Sequence, residues 1–189
     1  MVYSKGRDLL TRLDPADRDV ELVQDCCPPT TGVVAGLSRF QLLTQMSDVV
    51  ASVRVVGLEG SLTDSRDWVT STVSGYVEEV LKADALGPVP GERLFLEYGE
   101  GAVALGERTI RSRRTWAAPL EEGAVYLVFL TRGQNGELLD LEPSNVFSVV
   151  SDSYRSLVID SEFATPAAIV RQEIADSAPK GKLRFGGPR

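Results

Sequence analysis

Apolar and polar positions follow a helical period in two short stretches of this chain and a strand period over residues 49 to 150 between them. Phe40, Leu43 and Met46 recur along one face behind Ser38, and Gln41 stands three positions after that serine, the spacing of a capping box. A short helix is predicted there. Val49 to Glu59 is rich in β-branched residues and ends at Gly60, the pattern of a buried first strand and its turn. Trp68 to Lys82 reads as a longer strand whose two faces are Trp68, Thr70, Thr72, Ser74, Tyr76 and Val69, Ser71, Val73, Gly75, Val77; Gly75 predicts a bulge or bend. After the loop Leu86-Gly87-Pro88-Val89-Pro90-Gly91, Arg93 to Tyr98 alternates as a third strand. Gly99, Gly101 and Gly106 punctuate a stretch that reads either as a further hairpin or as an irregular insertion. Val125 to Leu130, apolar on both faces, is a central strand, and Asn135-Gly136 is a preferred two-residue turn into a partner at Glu137 to Leu141. Val146 to Val150 closes the predicted strand series. Thr165 as N-cap and Pro166 at the first helical position predict a helix over 166–176 with Val170 and Ile174 inward.

Together these elements predict a mainly β fold, a small antiparallel OB-like β-barrel at residues 38–150 with a short helix before it and a C-terminal helix, both packed outside. Residues 1–37 read as an irregular leader, with a helical turn or two at Asp8 to Leu13 and a break at Pro28-Pro29-Thr30-Thr31-Gly32. Residues 151–178 form a C-terminal extension that holds the second helix, and 179–189 a flexible basic tail.

Composition narrows the chemistry more than the fold. The 189 residues, 43% hydrophobic and 25% charged, suffice for one domain whose core needs no disulfide or metal. A net charge of -7 repels nucleic acid and favours a protein partner. There is no histidine, which removes Ser-His-Asp and Cys-His catalysis and every His-containing metal site. No enzyme activity, metal or cofactor is predicted. Cys26 and Cys27 are adjacent and have no third cysteine to pair with; they read as loop thiols before Pro28-Pro29, with redox chemistry or intermolecular pairing as the alternative. No apolar run reaches the ~20 residues of a membrane span, and Met1 to Leu13 lacks the apolar region of a signal peptide. Localisation stays open between the cytoplasm and, if an export signal lies outside these residues, an extracytoplasmic compartment.

The order of elements also carries a resemblance. A short helix ending in Met46-Ser47-Asp48-Val49-Val50 precedes a Val-rich strand. A long strand ending in Val77-Glu78-Glu79-Val80-Leu81-Lys82 follows, then Pro90-Gly91-Glu92 and later Gly123-Ala124-Val125-Tyr126-Leu127-Val128-Phe129-Leu130. Over about residues 38 to 150 this pattern resembles bacterial OB-fold domains similar to tissue inhibitors of metalloproteinases and netrin modules. The resemblance implies an OB barrel and relatives that are often exported. The inhibitory motif of that group, an N-terminal cysteine held by disulfides, has no counterpart here, because Cys26 and Cys27 are internal.

The candidate partner-binding residues are Arg108, Arg111, Arg113 and Arg114 with Trp116, since guanidinium groups beside an aromatic suit carboxylates, phosphates and stacking. Three readings compete for them: a solvated hairpin paired with local Glu, a contact with a protein or acidic glycan, and single-stranded nucleic acid. Glu121-Glu122, and Asp64 with Asp67, read as solvated turns in preference to acid/base pairs. Trp68, Tyr76 and Tyr98 read as core or barrel-face aromatics, core by default, and Lys180, Lys182, Arg184 and Arg189 as a solubilising tail. The predicted function is a non-catalytic binding or protein-interaction module, inhibitor-like in form; the alternative is an oligosaccharide- or single-stranded-nucleic-acid-binding OB domain.

Overall fold

In the computed structural model, which describes residues 8–11, 13–14, 16, 18–25, 36–133, 138, 141–158 and 164–178, the change of period at Val49 is a change from helix to strand. A 3₁₀ turn at Leu9–Thr11 comes first, then strand β1 (Asp19–Gln24), helix α1 (Arg39–Met46) and the long strands β2 (Val49–Leu62) and β3 (Val69–Lys82). β4 (Arg93–Tyr98), β5 (Gly101–Leu105), β6 (Arg108–Arg114) and β7 (Val125–Leu130) follow. β8 (Val146–Val150), β9 (Ser153–Ser156), β10 (Ala164–Pro166) and helix α2 (Ala167–Ser177) complete the order.

The strands form two sheets. The larger runs β10-β9-β8-β7-β2-β3-β4 with every neighbour antiparallel, and the smaller runs β1-β6-β5. Alternation decides the faces: Val53, Val55, Val73, Val77, Leu96, Val128 and Val146 are buried in one cluster inside the curve of the larger sheet. On the opposite face of β7 and β8, Phe129 and Phe147 meet Phe40 of α1 and share a second cluster with Val170 and Ile174 of α2. A third cluster, Leu9, Leu13, Val20, Leu22, Trp68, Val69 and Ile110, lies under the smaller sheet. The mainly β expectation and the two flanking helices hold. Val170 and Ile174 face inward as predicted, whereas Met46 is exposed.

Ser38 makes the predicted capping box with Gln41, and its hydroxyl also donates to Glu173 Oε2 at 2.7 Å, tying α1 to α2. Ser38→Ala removes both contacts. It is expected to cost about 1–2 kcal/mol in urea unfolding, a cap loss compounded by a lost interhelical bond.

Several expectations are corrected. Among the described residues no closed barrel is found: β4 and β10 end the larger sheet, because β8, β9 and β10 carry it onward past β7 instead of stopping at Val150. The predicted strand at Glu137 to Leu141 and its Asn135-Gly136 turn fall mostly outside the described residues. Leu138 there bridges Arg132 antiparallel, and Leu141 bridges Tyr98 parallel. The leader is not wholly irregular, since Val20 and Leu22 alternate with Asp19 and Glu21 and β1 pairs with β6, in parallel. The β2–β3 pairing shifts register three times, and the shift at Gly75 lies on its partner, where β2 carries the extra residue Val56 between Val55 and Gly57. α2 begins one residue later than predicted, with Pro166 at the cap position and Thr165 in β10. The tail from Pro179 lies outside the described residues.

Candidate functional site

β5 and β6 form the hairpin left open by the sequence, turned at Gly106-Glu107 with Gly106 at φ 65°. Strand alternation on β6 sends Ile110 and Ser112 inward, where the Ser112 hydroxyl donates to the Val69 carbonyl at 2.6 Å, and leaves Arg111 and Arg113 on the exposed face. The four arginines are therefore not one patch. Arg108 Nη2 donates to the Asp14 carbonyl at 3.0 Å, and Arg113 Nε to Glu21 Oε1 at 2.6 Å across to β1. Arg114, with only 12% of its side chain exposed, reaches Gln24 Oε1 and Glu142 Oε2, both at 3.3 Å, and lies 5.5 Å from the Trp116 ring centroid. Among the described residues the Arg111 side chain makes no hydrogen bond or ion pair. Arg113 and Arg114 are thus paired with Glu21 and Glu142, and Arg111 stays on the exposed face of β6.

A groove of about 440 Å³ runs beside this strand. Its apolar lining comes from Leu58 of β2 and from Ala117, Pro119 and Leu120, and its polar lining includes Glu21, Glu100, Arg111 and Arg113. Glu100, one residue before β5, is the unexpected member. It is 6% exposed, and its Oε1 has no hydrogen-bond partner. Burial pushes its carboxyl up to about 7, against the opposing pull of Arg114, which also gives it a backbone hydrogen bond, and of Arg113. Burial, seconded by Glu100, likewise pushes the Tyr98 phenol up; that hydroxyl donates to the Ala118 carbonyl at 3.3 Å. No pattern in the sequence around Gly99 and Gly101 marks this glutamate.

On the other side of Arg114 a more polar groove of about 460 Å³ is lined by Gln24, Thr63, Asp67, Glu97 and Glu142 among others. Asp67 corrects the solvated-turn expectation: it is buried and accepts from the Thr63 hydroxyl at 3.0 Å and from the Ser65 hydroxyl, holding the β2–β3 turn. Glu121 and Glu122 are exposed as expected. Trp68 and Tyr98 are core, but Tyr76 is 44% exposed and shares the outer face of β3 and β4 with Phe95, 62% exposed, over which Arg93 lies at 4.9 Å. Cys26 and Cys27, with the basic residues of the tail, lie outside the described residues. Among the described residues no helix is long and apolar enough to cross a membrane. No protein-family model matches this chain, and no curated protein matches its sequence.

Proposed function

We propose that the chain is a non-catalytic protein-interaction module on an OB-like barrel, and that it meets its partner through the groove between β6 and residues 117–120. The observation that carries this reading is the pairing, in one groove, of an apolar lining with a buried carboxyl oxygen that has no partner. Folded proteins rarely leave such an atom unsatisfied unless something else completes it. Two isolated bridges support the barrel, Arg132 with Leu138 just beyond β7 and Tyr98 of β4 with Leu141. The resemblance to metalloproteinase-inhibitor and netrin-like domains also supports it, and the inhibitory cysteine is not carried over.

Arg111→Ala is expected to leave the melting temperature unchanged, because the side chain is exposed, and to abolish capture of the native partner in a pull-down. Arg114→Ala is expected to lower the melting temperature, since it strips Glu142, Gln24 and Trp116 of a contact. Undiminished capture by Arg111→Ala would place the contact elsewhere.

A second reading has its own observation. Tyr76 and Phe95, with Arg93, present exposed rings on the β3–β4 face, a stacking platform suited to an oligosaccharide or, against the net charge of -7, to single-stranded nucleic acid. The two readings separate by which substitution loses binding, Phe95→Ala here and Arg111→Ala there.

A further inference from the structure

We infer that the groove beside β6 is a carboxylate site: it takes an apolar molecule or chain end bearing a single carboxylate, which pairs with Arg111 and accepts a hydrogen bond from Glu100. This rests on the reading of that groove as the contact surface and names the chemistry the groove selects.

Charge in the groove is the first ground. The groups that face Glu100 are Arg113 and Arg114 of β6, Glu142 ahead of the 3₁₀ turn Pro143–Asn145, and Tyr98 of β4. Arg113 is neutralised by Glu21 of β1 and Arg114 by Glu142. Arg111, which lines the same groove, keeps an uncompensated positive charge among the described residues. One unbalanced cation and one hydrogen-bonding carboxyl lining the same groove suit a monoanion; an incoming ammonium would meet a like charge.

Hydrogen-bonding capacity is the second ground. Oε1 of Glu100 is buried and unpaired, a condition that costs free energy until a ligand atom completes it. Near neutrality the carboxyl holds a proton much of the time, and a protonated carboxyl is a donor. A ligand carboxylate placed against it shares that proton, forming a strong charge-assisted hydrogen bond. The lining of Leu58, Ala117, Pro119 and Leu120 takes the apolar body, and about 440 Å³ is ample for it against the ~300–1,000 Å³ usual for ligand pockets.

The test uses octanoate with octylamine as its cationic match, and acetyl-Ala-Leu-Leu with a free C-terminus against the same peptide as its amide. Binding is followed by NMR at the amides of Gly101 and Arg114 and by calorimetry. A carboxylate probe should move those amides and the amine and amide probes should not; octanoate alone would identify a free acid, the peptide alone or both a chain end. Because binding requires the proton on Glu100, the dissociation constant should rise about tenfold from pH 6 to pH 8. Glu100→Gln donates at every pH and should bind without that slope, while Arg111→Ala should lose about tenfold or more in affinity at an unchanged melting temperature. Preference for octylamine, silence from both carboxylates, or undiminished binding by Arg111→Ala would overturn the inference. Partner capture that still depends on Arg111 would then show that the contact surface stands and only its chemistry was misassigned.

Discussion

Glu100→Gln should raise the melting temperature at pH 8 and leave it nearly unchanged at pH 4. In the native chain the Glu100 carboxyl is pushed up from its ordinary 4.5 to about 7, burial being the first cause. As pH climbs through this window the unfolded chain releases a proton that the folded one retains, so stability falls with rising pH from about 4.5 to about 7 and is flat above. The whole window is worth at most about 3 kcal/mol. Gln leaves an amide unpaired where the carboxylate was, which trims the gain to about 2 kcal/mol, or roughly 4–8 °C for a chain of this size. Thermal unfolding at pH 4, 6 and 8 measures it. A shift of the same size at all three would mean that Glu100 is not the titrating group.

Gly60→Ala is expected to do more damage than any surface change. A Cβ at Gly60 of β2 would overlap the Ala102 carbonyl of β5, and a backbone carbonyl inside a hairpin cannot turn aside as a side chain does. A Cβ at Gly101 would likewise strike the Ser71 hydroxyl and the Thr70 carbonyl of β3. The smaller sheet thus rests on the larger through backbone-to-backbone approach at glycines. Forcing β5 away should cost about 3 kcal/mol or more, lowering the melting temperature by roughly 6–12 °C. It should also disturb the groove, because Leu58 on β2 and Glu100 before β5 both line it. A neutral Gly60→Ala would mean the two sheets are not in contact there.

How far the sequence could be read follows from which signals are local. The capping box at Ser38, the alternation from Arg93 to Tyr98 and the inward pair Val170 and Ile174 are each decided within a few residues, and each stands in the structure. β1 was hidden because Asp14, Pro15 and Asp17 mark its approach as loop, and because its partner lies far along the chain. Tyr76 lies on the exposed side although core is its default reading, because nothing local says which face of a long strand meets the interior. For the site, the arginines were visible and their division was not. Whether Arg113 or Arg111 has a partner depends on Glu21, which reaches β6 only through the parallel pairing. Glu100 could not be found at all, since the groove it lines is assembled from residues as far apart as Glu21, Leu58 and Leu120.

The parallel pairing of β1 also has a consequence in time. Gln24 and Arg114, neighbours in the smaller sheet, are separated by 90 positions, an interval that a ribosome adding ~5–20 residues per second crosses in roughly 5–18 s. Through that delay Val20 and Leu22 have no sheet to join, while β2, β3 and β4, joined by short connections, can already pair with one another. The groove needs Glu21, Arg111 and Leu58 together. During synthesis it consequently cannot form before Leu120 has been added, so three strands of the larger sheet can pair before anything can bind there, while β7 to β10 and α2 are still to come.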